Sequence, residues 1–320
     1  MASTGFLRLL LSMLCITSAV AQDYPTRSLR LIIHVAPGGG TDILGRLLAR
    51  KLYEMYGQQV VVDNRPGAGT VIGSDLLAKS PPDGYTLSMQ INALAANHTL
   101  HAKLPYDTLK DFTPVVLVAS TPNVLVVHPS LPARSVAEFL ALARARPDQI
   151  AYASTGTGGA AYLATEMLKL NTGIRMIHVP YKGTAPALNA IISGETQTMV
   201  AALPGTIPFI HAGRVRALAV TSAQRAPAMP ELPTMMEAGI RNYEFVTWYG
   251  LFAPGGTPRD IVLRLNAAVV KILGQPDVRT QFARDGLDPA GGTPEWFDSY
   301  FRSEVEKLAA VIRAAGARAE

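Results

Sequence analysis

The chain has 320 residues, 48% of them hydrophobic and 17% charged, with a net charge of +5. That balance excludes a disordered or fibrous chain, and the length suits two α/β domains better than one. The basic residues are dispersed, with no run of four or more, which argues against a nucleic-acid partner.

Residues 1–21 carry Arg8 as their one charge, run apolar through Leu9-Leu10-Leu11-Ser12-Met13-Leu14-Cys15-Ile16 and end in Ala19-Val20-Ala21. The small-x-small ending predicts a secretory leader cut after Ala21 and a mature protein in the periplasm. A membrane span is the competing reading, but the apolar run falls short of the roughly 20 residues a span needs. Cys15, the only cysteine, lies in this leader, behind a bulky Leu14 that fits poorly with a lipid-anchor signal. The mature chain then has no thiol, which rules out disulfides, zinc-thiolate sites and a cysteine nucleophile. Losing Arg8 takes the net charge from +5 to +4, a mild balance that suits an anionic ligand.

In chain order, residues 29–35 (LRLIIHV) read as a buried strand, followed by the tight loop Ala36-Pro37-Gly38-Gly39-Gly40. Thr41 or Asp42 is placed to cap the next helix, whose Leu44, Leu48, Leu52 and Met55 form one apolar stripe. Val60-Val61-Val62 is a strand, Arg65-Pro66-Gly67-Ala68-Gly69 a second glycine-rich turn, and residues 85–89 a third strand. A second series has strands at 124–127, 150–153, 176–179 and 199–202. Its helices lie at 160–171 and 184–193, with a capping box at Ser135-Val136-Ala137-Glu138. Residues 243–253 read as extended. Thr257-Pro258 and Thr293-Pro294 each start a helix, and the last carries the stripe Phe297, Phe301, Val305, Leu308 and Ile312.

This alternation predicts parallel sheets covered by helices. The expected layout is domain 1 over residues 22–120 with 249–320 returning to it, and domain 2 over 121–248. Chain crossovers are expected near 119–121 and 245–249, with a ligand cleft between the domains.

Two loops between a strand and a helix stand out: Pro37-Gly38-Gly39-Gly40-Thr41-Asp42 and Ser154-Thr155-Gly156-Thr157-Gly158-Gly159. Glycine lets backbone approach a ligand, and the helix start supplies unpaired N–H donors with partial positive charge. Together they make an anion site without an arginine; the plain alternative is two tight turns. Asp42 is either a helix cap, a catalytic group or a ligand contact that selects between plain acids and amino acids. Gly156-Thr157-Gly158-Gly159-Ala160-Ala161 is a loose dinucleotide pattern, and no Walker lysine follows either loop. A hydrolase would need a base beside Ser154, but no histidine sits in a recognisable motif; His34, His128 and His178 read as structural. His98 and His101 lack further metal ligands, and no cofactor is expected.

The ordered set Tyr24-Pro25, Pro37 to Asp42, Val61-Val62-Asp63-Asn64-Arg65-Pro66-Gly67-Ala68-Gly69, Asp83-Gly84-Tyr85-Thr86-Leu87, Val179-Pro180-Tyr181-Lys182-Gly183 and Ala253-Pro254-Gly255-Gly256-Thr257-Pro258 resembles the Bug family, the extracytoplasmic receptors of tripartite tricarboxylate transporters. The resemblance covers the mature chain. It implies a type II-like, two-domain Venus-flytrap fold and a solute-binding protein rather than an enzyme. It further implies a small organic acid or amino acid as ligand, held mainly by loop main-chain donors, and a membrane permease as partner to a monomeric receptor. By position it points to Gly38, Gly39 and Thr41, and to Ser154, Thr155, Gly158 and Gly159, with Asn92 and residues 202–204 (Ala202 and Pro204 among them) lining the cleft. Tyr181-Lys182 would shape the hinge side, and Arg65 and Lys182 would stabilise loops. Ala160 departs from the polar residue often found there. The competing classes are an exported hydrolase on the same scaffold and a carboxylate sensor that signals to a membrane kinase.

Overall fold

The computed structural model describes residues 24–318; the expected leader, with Arg8 and Cys15, lies outside the described residues. Strands β1 (Leu29–Ile33), β2 (Val60–Asn64) and β3 (Thr86–Gln90) are parallel, with β1 between the other two. β1 reads as a continuous apolar run because both its faces are covered, and Leu29, Leu31, Ile32 and Ile33 are all buried. Helix α1 (Gly40–Tyr56) buries Leu44, Leu48 and Leu52. It stops at Gly57, whose left-handed backbone (φ 68°) lets its N–H return to the Tyr53 carbonyl at 2.8 Å. Helices α2 (Val71–Ala78) and α3 (Asn92–Leu100) complete this first series.

The longest strand, β4 (Phe112–Val127), has 16 residues, about 50 Å of extended chain. Residues 112–122 pair antiparallel with β9 (Val246–Pro254), and residues 123–127 with β7 (Thr198–Ala202). β9 also pairs with β3. Two adjacent strands therefore carry the chain from one lobe to the other. With β5 (Ala151–Ser154) and β6 (Ile177–Pro180), the strand order is β2-β1-β3-β9-β4-β7-β5-β6 in one curled mixed sheet. β8 (Arg216–Val220) and β10 (Asp288–Gly291) attach to β4 off this path. Pro114 cannot donate to the ladder, and the β4–β9 register shifts beside it, the usual accommodation of proline in a strand.

The second series contributes α4 (Val136–Ala145), α5 (Ala160–Thr172), α6 (Thr184–Ile192) and the short α7 (Ile207–His211). The predicted cap of α4 forms: Glu138 N–H donates to Ser135 Oγ at 3.1 Å. After β9 the chain forms α8 (Arg259–Leu273), α9 (Pro276–Asp285) and α10 (Pro294–Ala315). Thr293 caps α10 as expected, accepting from Trp296 N–H at 3.2 Å. Thr257 does not cap α8; its hydroxyl donates backward to the Pro254 carbonyl at 2.8 Å, and Pro258 takes the cap position.

α10 holds the two lobes against a common core. Its stripe Phe297, Phe301, Val305, Leu308 and Ile312 is buried, and it packs on α3 of the first series and α5 of the second. Trp248 of β9 meets Phe297 and Phe301 with ring centroids 6.3 and 6.1 Å apart. Inside this apolar layer Glu304 accepts from Trp248 Nε1 at 3.1 Å and from Asn92 Nδ2 at 3.4 Å. A buried carboxylate is tolerated because its oxygens have such partners.

Candidate functional site

The first glycine loop ends at α1 in an unexpected register. Gly39, extended at φ −90°, is the N-cap, and the helix begins at Gly40, so neither Thr41 nor Asp42 is the cap residue. A Cβ on Gly40 would lie 2.6 Å from the Tyr249 hydroxyl, so only glycine brings the helix start this close to β9. The N–H groups of Gly40 and Thr41 find no acceptor among the described residues, as first-turn donors do.

Asp42 faces the loop instead of the cleft. Its carboxylate accepts from Gly38 N–H, Arg46 Nε and Asn64 Nδ2, each at 3.0 Å. Burial alone would push this carboxyl up, but these hydrogen bonds outweigh it and hold it below the usual carboxylate range. Asp42 thus fixes the loop, and its oxygens are taken up before any ligand ammonium arrives. Arg65 also serves a loop, through Asp63 at 2.8 Å.

The second loop contains a similar surprise. Ser154 is fully buried, and its Oγ lies 2.6 Å from His178 Nε2 while accepting Gly156 N–H at 3.1 Å. Burial is the main cause that pushes His178 down to about 4, with Lys169 adding to it against Glu166. The imidazole is therefore neutral, and Ser154 Oγ and His178 Nε2 share one hydrogen bond. Ser154, expected as a contact, does not line the cavity between the loops and is engaged by His178 and Gly156. Ser154 is buried while His178 is half-buried, and no carboxylate bonds His178 Nδ1 among the described residues. His178 was the partner that spacing could not reveal.

Gly158 and Gly159 are needed for packing. A Cβ on Gly159 would sit 2.2 Å from Thr155 Oγ1, and one on Gly158 (φ 84°) 2.4 Å from Leu100 of α3. Asn92, also expected at the ligand, is a strut: Trp248 N–H donates to its Oδ1 at 3.2 Å, and its Nδ2 reaches Val246 O at 3.2 Å.

The lobes touch. Ala36 N–H donates to Lys182 O at 2.9 Å across the cleft, and a Cβ on Gly38 or Gly39 would meet Ala185 or Thr184 at 3.3 or 3.2 Å. Between them lies an enclosed cavity of about 20 Å³, the volume of a water or so. Gly40 and Thr41 line it from one loop and Thr155, Ala160 and Ala161 from the other. Asn123, Thr247 and Tyr249 line it from the crossing strands. Of the expected contacts, Thr41, Thr155 and Ala202 reach this cavity, while Pro204 backs Gly40 from behind.

Two donors here are orphans. Asn123 Nδ2 and Thr155 Oγ1 are buried without a hydrogen-bond partner. The Asn123 Oδ1 is engaged by Thr247 Oγ1 at 2.9 Å, which aims the amide nitrogen the other way. The Tyr249 hydroxyl, almost wholly buried, is pushed up by that burial and stays a neutral donor. Among the described residues, no charged side chain lines the cavity. Neutral donors from both loops and both crossing strands converge here, the chemistry that a carboxylate requires.

The model of the tripartite tricarboxylate transporter family receptor matches residues 44–317. The chain belongs to this receptor family. The receptor is 37% identical over 300 residues to Protein BugT of Bordetella pertussis, which covers 93% of the chain and 92% of BugT. It superimposes on R. palustris Rpa4515 with adipate at a TM-score of 0.90, with 39% identity, covering 92% of the receptor and 99% of that protein. MatC from Rhodopseudomonas palustris with bound malate gives a TM-score of 0.87 at 31% identity, covering 90% of the receptor and all of MatC. These likenesses make the curled mixed sheet a two-domain periplasmic binding-protein fold with two crossing strands at the hinge.

Proposed function

We propose that the receptor is a periplasmic solute-binding protein that captures a small organic acid between its lobes and delivers it to the membrane permease of a tripartite transporter. The observation that carries this reading is the pair of orphan donors, Asn123 Nδ2 and Thr155 Oγ1, in a cavity walled by both lobes. An unpaired buried donor is costly unless a ligand completes it. A carboxylate supplies two acceptor oxygens and needs no cationic partner when several N–H and O–H groups converge. Related structures hold adipate and malate, both carboxylates.

The closed cavity holds little more than a water, so the guest enters with the lobes parted and is enclosed as they meet. Closure is then a population shift driven by contacts that exist only when both lobes reach the guest. We assign residues 22–120 and 249–320 to one lobe and 121–248 to the other, with a cleaved leader ending at Ala21 and a monomeric mature protein. A plain acid is favoured over an amino acid, because Asp42 is committed to Arg46, Asn64 and Gly38 and, among the described residues, no carboxylate lines the cavity. Calorimetric titration with adipate, malate and their diamides tests this: the acids bind stoichiometrically and the diamides do not. Equal heats from acids and diamides, or turnover of an ester library, would refute it.

A further inference from the structure

The strand order leaves β2 at one end of the sheet and β6 at the other, and the two ends are finished differently. On β6, the N–H groups of Ile177 and Tyr181 donate to β5, so the backbone of His178 and Pro180 faces outward. Pro180 has no N–H to offer, which blunts that edge. On β2, the bonds to β1 run from Leu29 N–H on Gln59 O at 2.8 Å to Arg65 N–H on Ile33 O at 2.7 Å. Alternation between those two points turns the N–H and C=O groups of Val60, Val62 and Asn64 outward. Among the described residues, no strand pairs with them, and no proline interrupts the run.

The surface on either side of this edge has room for side chains. On the α1 face, Arg46, Arg50 and Tyr53 line a trough of about 380 Å³. On the opposite face, Arg30, Val61 and Arg65 line one of about 390 Å³. Tyr53 and Val61 are 50% and 52% exposed, so each trough offers apolar surface beside two arginines. The ion pairs of these arginines do not cancel their outward charge. The Arg46 side chain is 54% exposed and its partner Asp42 5%. Arg65 is 53% exposed, and Asp63, which it shares with Arg30, 21%. Arg50 meets Glu54 only at 4.0 Å. Carboxylates lying beneath cations that reach solvent leave the edge positive towards an approaching chain.

We propose that the free edge of β2 is an interaction surface that takes an extended acidic segment of a partner protein as an added strand. The main chain of the segment pairs with Val60, Val62 and Asn64, and its alternate side chains enter the two troughs. Apolar side chains cover Tyr53 and Val61, and carboxylates meet the arginines. A second copy of this chain is the poorer occupant, because pairing β2 with β2 brings the same arginines face to face. The inference is independent of acid capture, since none of Val60, Val61 and Val62 lines the cavity between the loops.

The test is two-dimensional NMR of the isotope-labelled mature protein, titrated with the capped peptide EVTVTVE and with its basic counterpart KVTVTVK. The acidic peptide should give saturable shifts centred on β2. It should also slow amide exchange at Val60, Val62 and Asn64, while Val61 and Asp63, already bonded to β1, exchange as before. Val62→Pro removes an outward donor and no inward bond, so it should abolish these effects with circular dichroism and Tm near wild type. Arg50→Glu alters no strand backbone and should weaken the acidic peptide about threefold, which decides the matter if Val62→Pro fails to fold. No shift with EVTVTVE would mean that the arginines only guard the edge and would overturn the proposal. Equal binding of the two peptides, or undiminished binding by either variant, would overturn it as well. So would exchange at the same amides that slows with rising protein concentration and no peptide, because the occupant would then be a second copy.

Discussion

Asn123→Ala is the substitution with the sharpest consequence, because it moves affinity more than stability. The side chain has one used end and one unused end. Oδ1 accepts Thr247 Oγ1 at 2.9 Å, and Nδ2 is buried without a partner. In the ligand-free protein, removing the amide loses one neutral hydrogen bond, worth about 1 kcal/mol, and removes an unsatisfied donor whose burial costs about 1–3 kcal/mol. The substitution also leaves the buried Thr247 Oγ1 without its acceptor, which costs about as much, so the net effect on unfolding is a loss of about 1 kcal/mol. In the complex, the same substitution deletes a hydrogen bond to a charged oxygen, worth about 1.5–3 kcal/mol, which is roughly a tenfold to hundredfold loss in affinity. Thermal denaturation with and without acid, together with calorimetry, reads both numbers from one sample. An unchanged Kd would refute the reasoning. A destabilisation above about 3 kcal/mol with proportionate loss of binding would also refute it, since Asn123 would then be a structural bridge alone.

Three other perturbations follow from the same geometry. Gly69→Val places a β-branched residue at φ 57° and a Cβ 2.5 Å from Thr157 O; we expect acid affinity to fall at least tenfold while both lobes stay folded, with X-ray scattering showing an open molecule in saturating acid, and a compact one would count against closure across this turn. Glu304→Leu leaves the indole N–H of Trp248 and the amide of Asn92 without their buried acceptor, so thermal unfolding should show a loss of about 3 kcal/mol, and a wild-type Tm would show that the strut is dispensable. Burial lowers His34 from 6.5 to about 4, so the unfolded chain binds a proton that the folded one refuses across that window. Stability is therefore full above about pH 6.5 and declines towards pH 4, by on the order of 3 kcal/mol for this one group; His34→Leu should flatten the decline, and an unchanged slope in the variant would exclude His34 as its source.

The strand-and-helix rhythm was legible because it is local. The stripe of α1, the Ser135 cap of α4 and the aromatic stripe of α10 each depend on residues within one element, and all three form as read. The βα loops were legible for the same reason, since glycine runs between a strand and a helix report backbone that must approach something closely. What could not be read was the far partner of each polar residue. Asp42 looks like a cap or a ligand contact until Asn64, 22 residues later, is seen to hold its second oxygen. Ser154 looks like a contact until His178, 24 residues on, is seen to hydrogen-bond its hydroxyl. Asn92 belongs to Trp248 and Glu304, 156 and 212 residues away. Period and spacing locate a side chain on a face of its own element and say nothing about which distant element meets that face. β8, α9 and β10 were missed because their short or mixed-polarity segments carry neither period cleanly.

The residues that best define the inner cavity lie where loop reasoning does not look, on the two strands that join the lobes. Thr121-Pro122-Asn123 interrupts the apolar run of β4 with polar groups, and Thr247 begins the aromatic stretch of β9; in a buried strand each such group needs a partner. Thr121 finds one in Gly286 O at 2.6 Å and Thr247 in Asn123, which leaves the Asn123 amide nitrogen over. On the proposed reading, that remainder puts a ligand donor at the point where the lobes pivot. A guest bound there touches the hinge itself as well as the two loops, so its carboxylate can favour closure by completing a hydrogen bond on the crossing strand rather than only by bridging distant walls. Further along β9, Trp248 ties the hinge through Asn92 and Glu304 to α10, which packs on both lobes. The site and the hinge are therefore one hydrogen-bonded unit. On this view Glu304→Leu, far from the guest, should loosen the pivot and weaken acid binding several-fold, whereas a cleft served by its loops alone would bind acid in that variant as well as wild type does.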